Sequence, residues 1–214
     1  MEDAELGIAP IFHGDKLKDA VETATDERVA LIEGFLYAEG CVMVFADDGL
    51  GKSSALLCAM VEASSGANVF NALPCPKPLK IIWLCAERPL NEPFERIKLM
   101  SGKLKPDFNN LVFDKELQGM DLRDKSGQAD FMLRLIELSS VFPDCKPDIV
   151  VIDPIYAMIG AGDLSSPTDA GLVNHIVRNI QSRYECAVIY THHTNRGGRH
   201  EGKRVEGDMY GSRF

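Results

Sequence analysis

One short segment constrains the fold of this chain more than any other: residues 46–53, which read Ala-Asp-Asp-Gly-Leu-Gly-Lys-Ser. An apolar run, residues 41–45, precedes the segment, and a run typical of a helix, residues 54–61, follows it. A strand, a glycine-containing loop and a helix in this order are the context of a phosphate-binding P-loop. The alternative is a surface turn rich in Asp and Gly. We favour the P-loop, because Gly-Lys-Ser rarely follows a strand of buried type by accident.

In a P-loop, backbone N–H groups and the positive end of the helix dipole converge on a phosphate. We therefore expect Lys52 to reach the β- and γ-phosphates of a nucleotide and Ser53 to ligate Mg²⁺. Ala46 stands where the first glycine of the motif belongs, and we expect this small residue to be tolerated there. The residues predicted to bind the nucleotide are Asp48, Gly49, Leu50, Gly51, Lys52, Ser53 and Ser54.

The composition is that of a globular protein with one domain. The chain has 214 residues, of which 45% are apolar and 26% are charged, and this length can bury a substantial core. The formal net charge of −9 argues against a protein that coats nucleic acid through its overall charge. Any contact with nucleic acid must then come from a local basic patch.

Neither the cysteines nor the apolar segments indicate an extracellular or membrane protein. The six cysteines form no Cys-x-x-Cys pair, so neither a zinc site nor a redox motif is predicted, and we expect reduced thiols. The acidic N-terminus does not resemble a signal peptide. No apolar stretch approaches the roughly 20 residues that span a bilayer. We expect a cytoplasmic protein without a membrane partner.

Runs typical of strands alternate with runs typical of helices along the chain. This order predicts an α/β fold of the P-loop NTPase kind, with a mainly parallel central sheet and helices on both faces. Residues 1–28 are predicted to be a polar lead-in and residues 29–214 the ATPase domain. We expect helices to start with Asn91 as a cap, at Ser126, and after Ser166 as N-cap with Pro167 at the first helical position.

Two carboxylates follow runs typical of buried strands, and ligands bind at such strand ends in open parallel sheets. Asp153 ends the run 149–152, so we expect it to hold Mg²⁺ beside Ser53; its alternative role is to cap the next loop. Many P-loop ATPases carry a Glu directly after this Asp, whereas here Pro154 follows. Glu87, at the end of the run 81–85, is therefore the candidate base that orients the attacking water. Its alternative role is an ion pair with Arg88 or Arg96.

Two adjacent histidines follow the last strand-like run, residues 187–191. Neighbours on an extended chain point to opposite sides, so His192 and His193 are not expected to share one metal ion. We expect one of them to donate a hydrogen bond to the γ-phosphate and to sense its loss.

A basic, glycine-rich segment comes next along the chain. Its cationic residues could contact nucleic-acid phosphates, although a solvated loop is the alternative. The predicted nucleic-acid contacts are Arg196, Arg199, Lys203 and Arg204.

The order of these pieces resembles the RecA-like hexameric ATPases, most closely the plasmid RepA type of replicative helicase, from about residue 29 onward. The resemblance rests on five segments and a final Gly-Ser turn. They are Leu31-Ile32-Glu33-Gly34-Phe35, the P-loop, Cys85-Ala86-Glu87-Arg88, Val150-Val151-Ile152-Asp153-Pro154, Tyr190-Thr191-His192-His193-Thr194 and residues 207–212.

This resemblance implies a role for each matching position. Lys52 and Ser53 match the phosphate and Mg²⁺ residues, Glu87 the catalytic base, Asp153 the Walker B carboxylate and His193 the γ-phosphate sensor. Residues 160–168 and 194–210 match the loops that line the central channel of the hexamer. The strand that carries the sensor is expected to lie between the Walker A and Walker B strands.

The resemblance also implies an arginine that reaches into the active site of a neighbouring subunit. Relatives continue beyond the position of Phe214 with further strands, where this arginine often lies. We therefore expect either a truncated chain, which would assemble and hydrolyse poorly, or an arginine finger at Arg204 or Arg213.

Three functions fit the sequence. The first is a DNA-associated, helicase-like ATPase that hydrolyses ATP with Mg²⁺, acts as a homo-oligomeric ring (a hexamer) and binds single-stranded DNA. The second is a regulatory or recombination-type RecA-like ATPase that does not unwind DNA. The third is a small-molecule kinase, which is less favoured because no Arg-bearing lid is evident between the Walker B strand and the last strand.

Overall fold

A computed structural model describes residues 13–23, 28–47, 50–86, 89–115, 117, 120–159 and 166–193. Within these residues the strands are β1 Ala30–Ile32, β2 Leu36–Tyr37, β3 Cys41–Ala46, β4 Ile81–Cys85, β5 Leu111–Asp114, β6 Ile149–Asp153 and β7 Ala187–His193. The helices are α1 Asp15–Thr23, α2 Lys52–Ser64, α3 Asn91–Met100, α4 Lys125–Ser139 and α5 Pro167–Tyr184. Two 3₁₀ turns span Phe108–Asn110 and Ile155–Met158.

A five-stranded sheet with the order β3-β7-β6-β4-β5 forms the centre of the molecule. All four pairings in this sheet are parallel. A separate antiparallel pair, β1 with β2, precedes it. Since β7 lies between the strand before the P-loop and the strand that ends at Asp153, the predicted strand placement is confirmed.

Apolar side chains cover both faces of the sheet, as the buried strand runs predict. The face that packs on α2 and α3, here called the P-loop face, includes Trp83, Val151 and Ile189. The opposite face packs on α4 and α5 and includes Leu84, Ile152 and Tyr190. The predicted α/β fold, with a parallel sheet between helical layers, is therefore confirmed.

Two of the predicted helix starts are wrong by one residue. Asn91 is the first residue of α3 rather than its cap, and Leu90 occupies the N-cap position. Pro93 then lies in the first turn, where its missing N–H costs no helical hydrogen bond. Helix α4 begins at Lys125 rather than Ser126, after Asp124 in an extended conformation.

The start of α5 is as predicted. Ser166 is the N-cap and Pro167 the first helical residue, although the Ser166 side chain makes no capping hydrogen bond. Strand β7 is two residues longer than predicted. Its pairing continues because β3 runs to Ala46, which lies in register with His193.

Gly127, in the first turn of α4, is required by a close backbone approach. A Cβ atom at this position would lie 2.1 Å from the Asp121 carbonyl oxygen. We predict that Gly127→Ala lowers the free energy of unfolding by about 1–3 kcal/mol, since the backbone must shift to relieve the overlap. Urea denaturation followed by circular dichroism measures this change.

Gly171→Ala in α5 is the matched control. No heavy atom lies within 4 Å of a Cβ at Gly171, and alanine in a helix is about 1 kcal/mol more favourable than glycine. Equal stability changes in the two variants would contradict the predicted clash.

Candidate nucleotide-binding site

The P-loop connects the end of a sheet strand to the start of a helix. Strand β3 ends at Ala46 and α2 begins at Lys52. Gly51 precedes the helix with φ +80°, in the left-handed region that costs an L-residue roughly 1–2 kcal/mol. The second glycine of the Gly-Leu-Gly run thus allows the sharp turn into α2. Asp48 and Gly49 lie outside the described residues.

The N-terminus of α2 is suited to an anion. The Ala55 N–H donates the first helical hydrogen bond to the Gly51 carbonyl at 2.9 Å, and the N–H groups before it project from the end of a helix. Within the described residues, the first turn contains no acidic side chain and no side chain caps it. Positive partial charge therefore remains at this end of the helix.

Lys52 spans the loop. Its Nζ donates a long hydrogen bond of 3.4 Å to the Ala46 carbonyl oxygen, so the ammonium lies over the start of the loop. The contact uses the backbone of Ala46 and not its side chain. This is consistent with the expectation that alanine can replace the first glycine of the motif.

Asp153 lies beside Ser53, as the sequence predicts. The Ser53 hydroxyl donates to Asp153 Oδ1 at 3.1 Å. Both residues are half-buried, and their positions join the start of α2 to the end of β6. Hydroxyl and carboxylate oxygens are ligands of the type that Mg²⁺ prefers. The donor set therefore fits a magnesium ion.

A third residue, Thr191 of β7, completes this cluster. Its hydroxyl donates to the same Asp153 oxygen at 2.5 Å. No motif in the sequence singles out Thr191. The register of the two parallel strands accounts for the contact. Ile152 pairs with Tyr190, and the next residues on the two strands are Asp153 and Thr191.

The thiol of Cys85 lies at the neighbouring strand end, where Cys85 pairs in register with Asp153. Burial, followed by the negative charges of Asp153, Asp114 and Glu92, raises the pKa of the Cys85 thiol to about 12. A protonated thiol is a poor nucleophile. Cys85 is thus a packing residue of the P-loop face and not a nucleophile.

The two histidines at the end of β7 differ in position. His192 is buried on the face opposite the P-loop face, where its ring meets the Tyr156 ring edge-on with centroids 6.4 Å apart. His193 is the last residue of β7, and its backbone lies in register with Ala46. Neighbours in a strand alternate between the two faces of a sheet, so it stays a prediction that the two histidines do not share one metal ion.

Glu87 lies outside the described residues, but the residue before it is placed. The Ala86 N–H donates to the Asp153 carbonyl oxygen at 3.0 Å, which continues the pairing of β4 with β6. Arg96, one alternative partner of Glu87, pairs with Glu92. The proposed nucleic-acid contacts Arg196, Arg199, Lys203 and Arg204 also lie outside the described residues.

No described helix is long and apolar enough to cross a membrane. In the same part of the chain, no cluster of three or more His, Cys, Asp or Glu side chains could hold a metal ion. The Ser53–Asp153 pair is of a different kind, since nucleotide phosphates supply further ligands to a magnesium ion held at a P-loop.

A family model described as an AAA domain matches residues 13–199. The chain belongs to this family of P-loop ATPases, which includes RecA-like helicase-type domains. The protein is accordingly a P-loop ATPase, as the sequence predicts, while the narrower resemblance to the plasmid RepA type stays a prediction. No curated protein matches the chain.

The raised pKa of Cys85 predicts slow alkylation. In the nucleotide-free protein at pH 8, the thiolate fraction of a group with this pKa is about 10⁻⁴, whereas Cys145 is solvent-exposed. We expect iodoacetamide to modify Cys145 and to spare Cys85, as measured by peptide mass spectrometry over time. Modification of both at similar rates in the folded protein would contradict the described environment, and the urea-unfolded protein is the control.

Proposed function

We propose that the protein binds ATP and Mg²⁺ at the P-loop and hydrolyses ATP to ADP and phosphate as a DNA-associated, helicase-like motor. The observation that carries the nucleotide assignment is the hydrogen bond of 3.1 Å from Ser53 to Asp153 Oδ1. Two residues that are 100 positions apart meet at the N-terminus of a helix. A phosphate-bound magnesium ion requires both oxygen types at this place.

The described residues have separate tasks in this proposal. The N-terminus of α2 and the Lys52 ammonium would bind the phosphates, while Ser53 and Asp153 would hold the metal ion. When bound, Mg²⁺ supplies charge neutralisation at the β- and γ-phosphates. The Ser53 O–H donates to Asp153, so the lone pairs of its oxygen stay available to the ion.

Glu87 is the proposed base for water attack. Asp153 is followed by Pro154 rather than by a carboxylate. The backbone bond from Ala86 to Asp153 fixes the residue before Glu87 at the same sheet edge. This anchoring supports Glu87 as the group that orients the water.

His193 is the proposed γ-phosphate sensor. The register of β7 with β3 brings its backbone level with Ala46, where the P-loop starts. His192 is a weaker candidate because its ring is buried against Tyr156 on the opposite face. The shared strand parity of positions 191 and 193 also supports this choice, since Thr191 contacts Asp153.

Two observations support a DNA-associated motor: the position of the basic residues in the sequence, and the family to which the chain belongs. The basic residues Arg196, Arg199, Lys203 and Arg204 follow β7, the strand that carries the proposed sensor. Loss of the γ-phosphate could then alter a DNA contact through a short connection. The family includes helicase-type domains, and we propose a ring of identical subunits that binds single-stranded DNA in the cytoplasm.

Two substitutions separate binding from hydrolysis. We expect Lys52→Ala to abolish binding of a fluorescent ATP analogue, because the ammonium no longer neutralises the phosphates. We expect Glu87→Gln to bind the analogue within about twofold of wild type and to lower turnover by roughly 10²-fold or more, the scale of a lost general base. Fluorescence titration and phosphate release measure the two effects.

Glu92→Gln is the matched control, since this carboxylate pairs with Arg96 on α3. It should leave phosphate release near the wild-type rate. Full turnover by Glu87→Gln in a protein that is shown to be oligomeric would contradict the role of Glu87. Transfer of phosphate to a small molecule rather than to water would favour the kinase.

If the protein is a DNA-associated motor, we expect single-stranded DNA to stimulate ATP hydrolysis. Arg196→Ala combined with Arg199→Ala should weaken this stimulation and leave hydrolysis without DNA unchanged, because phosphate contacts dominate DNA affinity. Phosphate release with and without an oligonucleotide measures the effect, and strand displacement from a forked duplex measures unwinding. Stimulated hydrolysis without any displacement would favour the regulatory or recombination-type ATPase.

A further inference from the structure

We propose that Thr191 is a positioning residue that holds the Asp153 carboxylate in the orientation needed for the metal ion. The inference rests on the proposed nucleotide site and extends it to a residue on a third element. The proposal is supported by the hydrogen bond of 2.5 Å that Thr191 Oγ1 donates to Asp153 Oδ1.

The burial of Thr191 argues that this bond has a purpose beyond packing. Thr191 is 0% exposed, and the buried residues before it on β7 are Ala187, Val188, Ile189 and Tyr190. Valine has nearly the same shape and would bury no hydroxyl at this position. A buried hydroxyl is unfavourable unless it is hydrogen-bonded, and the carboxylate of Asp153 is the partner that this one has.

Two donors on one oxygen restrict the carboxylate. Ser53 and Thr191 approach Asp153 Oδ1 from different elements, the first turn of α2 and strand β7. Ser53 would itself ligate the ion, so the geometry of its bond to Asp153 is expected to change when the ion binds. Thr191 is not a proposed ligand and lies at a fully buried strand position. Its bond is therefore expected to orient the Asp153 carboxylate both with and without the metal ion.

The same bond links the metal site to the strand that ends at His193. The Asp153 carboxylate is thus linked to β7 by this side-chain hydrogen bond in addition to the parallel pairing of β6 with β7. Partners that orient metal ligands in this way typically change metal affinity by 10–100-fold when they are removed.

The test compares Thr191→Val, which removes the hydroxyl and keeps the shape, with Thr191→Ser, which keeps the hydroxyl. Binding of a fluorescent, non-hydrolysable ATP analogue is titrated with Mg²⁺ in the full-length protein. We expect Thr191→Val to need about tenfold more Mg²⁺ for half-maximal binding, and Thr191→Ser to stay within about twofold of wild type. Binding measured in EDTA should be equal for all three proteins.

Two controls separate positioning from packing. Thermal unfolding without ligand reports any loss of stability. In an Asp153→Asn background, adding Thr191→Val should cause no further shift in the Mg²⁺ dependence, because Thr191 acts through the carboxylate. If Thr191→Val does not fold, Thr191→Cys is compared with Thr191→Ser instead. Both lack the γ-methyl group, and the thiol is a weaker donor than the hydroxyl, so Thr191→Cys is expected to need more Mg²⁺ than Thr191→Ser.

An unchanged Mg²⁺ dependence of a folded Thr191→Val protein, with wild-type binding intact, would overturn this inference alone. Equal damage from Thr191→Ser would overturn it as well, because the methyl group rather than the hydroxyl would then matter. A wild-type protein without Mg²⁺-dependent nucleotide binding would overturn the proposed function and this inference together.

Discussion

The arrangement of the site depends on one oxygen atom, Asp153 Oδ1. It accepts hydrogen bonds from Ser53 at the start of α2 and from Thr191 in β7. These bonds join three elements that lie far apart in the chain, at the edge of the sheet where the parallel strands end. The sheet order makes them possible, since β7 is inserted between β3 and β6.

The site binds an anion within an acidic protein through local geometry and not through overall charge. The net charge is −9, yet the P-loop joins a helix N-terminus without an acidic first turn to a lysine that lies over the loop. A carboxylate is tolerated at this place because two hydroxyl groups donate to it. The carboxylate also makes the site suitable for a divalent cation, whose charge would offset the remaining repulsion between Asp153 and a triphosphate.

Much of the fold follows from the sequence because its strands are strongly apolar and its helices carry clear periodicity. The buried runs 81–85 and 149–152 are examples, and the P-loop motif indicates where β3 ends and α2 begins. The starts of α3 and α4 are off by one residue, and neither Leu90 nor Asp124 makes a side-chain capping bond. Leucine is not a capping residue type, so local chemistry could not reveal the start of α3, whereas Asp124 is of a type favoured at the N-cap.

The pairing of Ser53 with Asp153 could be expected from the motif, whereas Thr191 could not be found by motif alone. Its role depends on the strand next to β6, which the resemblance placed correctly, and on the register of β7 with β6, which only the structure gives. The family match extends from residue 13 to residue 199 and establishes the ATPase class. Neither the motif nor the family separates a helicase from a regulatory ATPase, since both use the same phosphate-binding residues.

Binding of nucleotide and metal ion at Ser53 and Asp153 is tested most directly by a crystal structure with Mn²⁺ and a non-hydrolysable ATP analogue, with anomalous scattering to locate the metal. We expect a manganese peak between the phosphates and Ser53 Oγ, adjacent to Asp153, with Thr191 still bonded to Oδ1. A nucleotide bound elsewhere, or a metal ion coordinated without Ser53 and away from Asp153, would contradict it.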